Sequence, residues 1–224
     1  MVTGASAGFG LALARELASR GWRLILDARR PGPLKAAAEQ TGAVAIPGDI
    51  TDPRHRDALH TAVRGLGELD LLVNNASYLG PSPQPPLADY PLSELARVYE
   101  TDVFAPLALV QSLLPLLAEH AAVVAISSDA AVEPYPGWGG YGSAKAALDQ
   151  LSSVLGAEHP NLSVYAFDPG DMRTEMHQRA FPGQDISDRP DPASVVPALL
   201  RLLEQRPPSG RYRGSDLSSG DVGS

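Results

Sequence analysis

The sequence predicts an α/β fold in which a doubly wound parallel sheet of six to seven strands carries helices on both faces. Three observations carry this expectation. Apolar strand-length runs alternate with helix-length segments six or seven times along 224 residues, the pattern of parallel strands joined by crossover helices. Runs such as residues 70–73 are almost continuously apolar, as strands covered on both faces must be. A glycine-patterned turn at residues 3–10 stands where a first strand would pass into a first helix. At 44% hydrophobic the chain can bury one core, so residues 1–214 are expected to form a single domain.

The first helix follows the glycine turn, with Phe9, Leu13 and Leu17 on one face. Only Met1, Val2 and Thr3 precede that turn, short for a central strand. Either the start lies upstream of Met1, the reading favoured here, or the sheet accepts a very short central strand; the intact mass of the native protein tests this. Residues 23–28 make the second strand, a helix near 33–40 follows, and residues 43–46 make the third. Asp52 caps a helix over 53–66 that opens on Pro53. After the strand at 70–73, prolines at 81, 83, 85 and 86 mark a surface loop over 78–90. A long helix is expected over 92–118. Within it Pro106 lacks the N–H that would bond the Asp102 carbonyl, so a kink with a free carbonyl is expected there. A helix runs from Gly140 to about Leu155, a buried strand covers 162–167, and a further helix covers 192–205. Residues 175–190 are expected to form a mobile lid, residues 211–213 a last strand, and residues 215–224 a disordered tail.

The turn MVTGASAGFG suits an anion. Gly4, Gly8 and Gly10 let backbone approach a pyrophosphate, and Thr3, Ser6 and Phe9 belong to the same turn, whose helix N-terminus offers free N–H groups. A plain structural turn fits the same pattern. At the tip of the second strand the chain reads Ala28-Arg29-Arg30. Arginine there accommodates a ribose 2′-phosphate, whereas an acidic residue binds the 2′-hydroxyl; Asp27, one place earlier, is expected on the other face. NADP(H) is therefore favoured over NAD(H), with two solvated arginines as the alternative. Asp49 stands where a carboxylate can accept from an adenine amino group, and Asn74-Asn75-Ala76 at a strand tip either ties strands together or lines a cleft.

The reactive chemistry concentrates in residues 126–145, ISSDAAVEPYPGWGGYGSAK. On a helix, Tyr141 and Lys145 share one face a turn apart, so an ammonium can stabilise a phenolate. A Tyr/Lys pair at this spacing is also an ordinary solvated contact. Ser128, thirteen residues before Tyr141, can hold a carbonyl or alcohol oxygen where the tyrosine exchanges a proton with it.

With Thr3, Gly4, Gly8 and Gly10, then Asn74-Asn75-Ala76, then Ser128, Tyr141 and Lys145, then Pro169-Gly170 and Thr174, the chain resembles the short-chain dehydrogenase/reductase family in its non-extended form. The resemblance covers residues 2 to about 214 and implies a Rossmann-like fold. It implies that Tyr141 is the acid/base, that Lys145 lowers its pKa and holds the nicotinamide ribose, and that Ser128 binds the reacting oxygen while a hydride passes to or from the cofactor. Pro169, Gly170 and Thr174 would flank the nicotinamide, and Asp49 and Ile50 the adenine. The helices starting near Leu92 and at Tyr141 would form subunit contacts in a homodimer or homotetramer.

Two positions depart from the family pattern: Ser77 replaces a glycine, and Asp102 replaces the asparagine that serves as fourth catalytic residue. A carboxylate near Lys145 favours its protonated form, so altered pH dependence is expected rather than inactivity. The alternative to an enzyme acting on a small carbonyl or alcohol is a catalytically weak regulatory protein that retains the cofactor fold.

Composition narrows the classes further. With no cysteine there is no disulfide or thiolate chemistry, and the five histidines lack metal spacing with carboxylates, so no metal is expected. Four of them are expected at the surface, while His177 borders the lid. A net charge of −8 without a basic cluster disfavours nucleic acid. Without a long apolar span or leader, the chain is expected to be soluble and cytoplasmic, with no membrane partner.

Overall fold

Residues 1–3 join the two halves of the sheet. The Val2 amide donates to the Ile25 carbonyl at 3.0 Å and the Asp27 amide donates to the Val2 carbonyl at 3.1 Å. On the other side the Thr3 amide donates to the Val73 carbonyl at 3.0 Å, and the Val73 amide to the Met1 carbonyl at 2.9 Å. A central strand reduced to single bridges at Val2 therefore still pairs with both neighbours. The Met1 amino group is buried and donates to the Leu71 carbonyl at 2.6 Å; burial lowers its pKa to about 5, against the pull of Asp70.

The computed structural model describes residues 1–218. Around Val2 the strands are β1 (Ile25–Ala28), β2 (Val44–Pro47), β3 (Leu69–Asn74), β4 (Leu117–Ile126), β5 (Ser163–Asp168) and β6 (Gly210–Arg213). All pair in parallel, β1 with β2 and then β3-β4-β5-β6. With Val2 in the gap, the order is β2-β1-Val2-β3-β4-β5-β6.

Alternation along the strands feeds two cores. Leu71 and Val73 of β3, Val124 of β4, and Tyr165 and Phe167 of β5 join one cluster, with Leu13 and Leu17 of α1 (Gly8–Ser19), Leu34 of α2 (Pro31–Thr41), and Leu199 and Leu202 of α8 (Pro192–Gln205). Leu72, Val123 and Val164, one residue out of phase, join the other. There they meet Leu59 of α3 (Pro53–Leu66) and Leu109 and Leu113 of α5 (Ala105–Leu113). Each fully buried leucine contributes about 1.5–3 kcal/mol. Helices α4 (Leu92–Tyr99) and α6 (Gly139–Glu158) complete the second face, packing Val98 against Ala144.

Caps explain several boundaries. The Asp52 carboxylate accepts from the Arg54 amide at 2.9 Å, Asp191 from Ala193 at 2.9 Å, and the Thr174 hydroxyl from the His177 amide at 3.1 Å; Asp52 and Asp191 each precede a proline at the first helical position.

Several expectations need correction. The helix predicted over 92–118 is α4, a wide turn over Glu100–Phe104 in which the Ala105 amide reaches back to the Glu100 carbonyl, α5, and a short 3₁₀ turn; β4 already starts at Leu117. Pro106, which cannot donate to the Asp102 carbonyl, is the second residue after the widened turn. The lid segment contains α7 (Glu175–Ala180). The tail predicted to be disordered from Ser215 begins with α9 (Gly214–Ser218), anchored by the buried Leu217; residues 219–224 lie outside the described residues. His55, expected at the surface, is only 8% exposed.

Candidate functional site

The glycine turn is locked to the tip of β3. The Asn75 side-chain amide donates to the Thr3 carbonyl at 2.8 Å and to the Gly4 carbonyl at 3.1 Å. In return, the Thr3 hydroxyl accepts from the Asn75 and Ala76 amides, both at 3.0 Å. Gly4 has φ +63°, and a Cβ there would stand 2.8 Å from the Ala76 Cα, so a larger residue would be strained and would separate the two loops. At Gly10 a Cβ would meet the Asn75 amide nitrogen at 2.4 Å.

Beside this clamp lies a cavity of about 640 Å³. Gly4, Ser6, Gly8, Phe9, Asn75 and Ala76 line it from the clamp, Arg29, Arg30, Asp49 and Ile50 from the tips of β1 and β2. Ser128, Tyr141, Lys145, Pro169, Gly170 and Thr174 line it as well. Thr3 and Gly10 support this wall from behind, and Asp102 is buried away from the cavity. The volume, the small-residue wall beside a helix N-terminus and the arginine pair fit a nicotinamide dinucleotide phosphate. Burial opposes ionisation of Asp49, but its bonds from Thr51 and the nearby Arg29 charge outweigh this and hold its carboxyl below the ordinary range. Arg30 lies 3.5 Å from Glu175 of α7.

Asp27 lies on the face opposite Leu26 and Ala28, toward α3, and also lines the cavity. It is 1% exposed, and its carboxylate lies 2.5 Å from His55 Nε2 of α3. Burial pushes the Asp27 carboxyl up, while the His55 hydrogen bond opposes the rise. Gly48 makes room for this pair, since a Cβ there would overlap the His55 ring.

The reactive segment is held by close packing. In α6 a Cβ at Gly142 would lie 2.5 Å from the Ala130 carbonyl oxygen, so the glycine after Tyr141 lets the helix approach the turn that follows β4. Tyr141 and Lys145 are 8% and 2% exposed. The Lys145 ammonium donates to the Ile126 carbonyl at 2.9 Å and stands 5.4 Å from the centre of the Tyr141 ring. Burial pushes the Tyr141 phenol up, Lys145 pulls it down and the Asp102 charge adds to the rise; the net direction is up. The Ser128 hydroxyl accepts from the Ala130 amide at 3.2 Å and donates to Asp129 at 3.0 Å. Asp102 accepts from the Tyr78 amide at 3.0 Å; burial raises its pKa, with Lys145 opposing. The arrangement can exchange a proton at a cavity wall beside a fixed cation.

Sequence reasoning missed Arg211 of β6. Its guanidinium lies 3.0 Å from Asp149 and 2.8 Å from Asp168, and donates to the Ser128 carbonyl at 3.0 Å, tying α6, β5 and the serine together. With Arg211 and Ser128 83 positions apart in the chain, no local pattern signals it. Trp138 lines the cavity and Tyr135 does not; the Trp138 ring lies 5.9 Å from Tyr141 and 5.8 Å from Phe181. His177 and Met176 also line it, while Phe181 packs at 4.8 Å on the His177 ring. Among the described residues there is no cluster able to hold a metal, and no helix is long and apolar enough to cross a membrane.

Comparison with known proteins agrees with this geometry. A family model described as short chain dehydrogenase matches residues 1–185. The chain is 36% identical over 196 residues to the serine 3-dehydrogenase of Agrobacterium fabrum, covering 84% of this chain and 78% of that one. It is 35% identical over 200 residues to the sepiapterin reductase of Mus musculus, covering 80% and 76%. The structure of a Shigella flexneri short chain dehydrogenase complexed with NADP superposes with a TM-score of 0.88 at 28% identity, covering 96% of this chain and 95% of that one. The chain belongs to the short-chain dehydrogenase/reductase family of NAD(P)-dependent oxidoreductases.

Proposed function

We propose that the protein interconverts a small carbonyl compound and its alcohol with NADP(H), Tyr141 acting as general acid/base. The observation that carries this reading is that Ser128, Tyr141 and Lys145 share one cavity with Arg29, Arg30 and the glycine turn. Bound there, the cofactor supplies the hydride. The chain's residues supply the rest. Arg29 and Arg30 carry positive charge to the ribose 2′-phosphate, and Gly4, Ser6, Gly8 and Phe9 bring backbone to the pyrophosphate. Asp49 and Ile50 border the adenine, and Asn75, Ala76, Pro169, Gly170 and Thr174 border the nicotinamide end. Ser128 holds the substrate oxygen, and in reduction Tyr141 gives that oxygen its phenolic proton. Lys145 then faces the phenolate and holds the nicotinamide ribose. Trp138, Met176 and His177 form a mixed wall that suits a partly apolar substrate.

Titration with NADPH and NADH, followed by fluorescence, tests the reading. NADPH is expected to bind more tightly, and Arg29→Ala to weaken NADPH selectively. Turnover is assayed with sepiapterin plus NADPH and with L-serine plus NADP⁺. Tyr141→Phe is expected to retain cofactor binding and lose turnover; binding of neither nucleotide to the wild-type protein would overturn the proposal.

We further propose a homo-oligomer assembled through the α4–α6 side. Leu92 and Phe104 are 78% and 51% exposed there, and Val154 of α6 is 42% exposed, apolar side chains that a second copy would cover. Sedimentation of the wild type against Phe104→Glu tests it: a wild-type monomer would refute the assembly.

A further inference from the structure

Behind the cavity wall that carries Ser128, one guanidinium meets two carboxylates and a strand-tip carbonyl. Arg211 lies in β6, at the edge of the sheet, opposite Ala166 of β5, which is itself opposite Ala125 of β4. Opposite residues of neighbouring strands share a face, so the arginine stem crosses two alanines that leave it room to reach the tip of β4. Its Nη2 donates to the Ser128 carbonyl at 3.0 Å and to Asp168 Oδ2 at 2.8 Å, and its Nε donates to Asp149 Oδ2 of α6 at 3.0 Å. The Asp168 side chain is 4% exposed. Neither the arginine nor its two carboxylate partners line the cavity.

The other oxygen of Asp168 is used as well. Oδ1 accepts from the Gly170 amide at 3.0 Å, across a turn in which Gly170 has φ +73°, a left-handed conformation that glycine adopts without strain. One buried carboxylate thus bridges Arg211 to the turn whose Pro169 and Gly170 line the cavity. On the other side of the arginine, the Ser128 carbonyl takes two donors, the guanidinium and the Ala131 amide at 3.1 Å. A single planar fork therefore joins the Ser128 tip to the Gly170 turn. Arginine suits this place because its fixed N–H groups serve several acceptors in different directions, which the point charge of a lysine does not. Fastening the edge strand alone would need neither the Ser128 contact nor the Gly170 bond.

We propose that Arg211 is a positioning residue for the nicotinamide half of the cofactor site, holding the Ser128 tip directly and the Gly170 turn through Asp168. The proposal rests on the reading of the cavity as an NADP(H) site, with Pro169 and Gly170 at the nicotinamide and Ser128 at the reacting oxygen. The adenosine half is carried by Arg29, Arg30 and the glycine turn, and the hydrogen-bond partners of Arg211 lie in none of those segments. Loss of the fork therefore loosens the wall around the nicotinamide and leaves the grip on adenosine and the 2′-phosphate in place.

Calorimetric titration with NADPH and with 2′,5′-ADP, which carries the adenosine and the 2′-phosphate but no nicotinamide, tests this without turnover. Arg211→Lys keeps a positive charge beside the carboxylates and cannot reproduce the fork. It is expected to bind NADPH about tenfold more weakly than wild type, the scale of one or two lost hydrogen bonds, and 2′,5′-ADP within about twofold. Asp168→Asn offers an oxygen to only one of its two donors; it should split the two ligands in the same way, and it serves where the lysine variant does not fold. Equal weakening of both ligands, or unchanged NADPH affinity, overturns the proposal and leaves the cofactor reading intact. A wild type that binds neither ligand sinks the cofactor reading, and the proposal with it.

Discussion

The Lys145 ammonium stands 5.4 Å from the centre of the Tyr141 ring, anchored by a 2.9 Å hydrogen bond to the Ile126 carbonyl. The strand tip thus fixes the cation beside the phenol, and that cation is the influence that pulls the Tyr141 pKa down against burial. Lys145→Met is therefore expected to lower kcat by about 10²-fold or more, the scale of acid/base catalysis. The alkaline limb of the pH profile should move to higher pH. Steady-state rates across pH check both; an unchanged profile would separate Lys145 from the phenol.

Asp27 and His55 form a buried pair beneath the expected adenine end of the cavity. Removing one partner of such a pair typically costs about 3–5 kcal/mol, so His55→Ala should be strongly destabilised. Its deficit should also grow with pH. Burial already raises the Asp27 pKa and His55 opposes the rise. Without His55 the folded pKa climbs further above the unfolded one, and the folded state resists losing its proton. Stability is then lost as pH rises from the ordinary carboxylate range toward the folded pKa. Urea denaturation at pH 5 and pH 8 measures the difference; a pH-independent deficit would contradict it.

The same sign applies to Asp102. Its pKa is raised mainly by burial, so between the unfolded and folded values the native state holds more protons and wild-type stability falls with rising pH, by at most about 1.4 kcal/mol per unit. Asp102→Asn removes this slope. The stability of that variant relative to wild type should improve as pH rises, as urea midpoints at several pH values will record.

Gly10→Ala should damage the fold locally. Its Cβ would press to within 2.4 Å of the Asn75 amide and 2.8 Å of the Gly4 carbonyl, forcing apart the clamp that holds the glycine turn against β3. Overpacking of this kind costs about 1–3 kcal/mol. A lower Tm together with weaker NADPH binding is expected; an unchanged Tm would show that the clamp yields freely.

Alternating apolar runs specified the parallel sheet because a strand covered on both faces must be apolar on both, and Asp52 before Pro53 announced its helix because capping is a local interaction. Tyr141 and Lys145 were legible as a pair for the same reason, four residues on one helix. The tertiary structure decided what spacing cannot encode. Val2 pairs with two strands more than twenty and seventy residues away, a pairing that no local spacing encodes. The widened turn at Glu100–Phe104 and the burial of Leu217 depend on packing against distant elements, which overrides the local tendency toward a continuous helix or a disordered tail. Asp27 lines the cavity while its carboxylate meets His55 of α3, and Arg211 reaches Ser128 from β6. Which polar groups are desolvated together, and which remain unpaired, is set when remote segments close on one another.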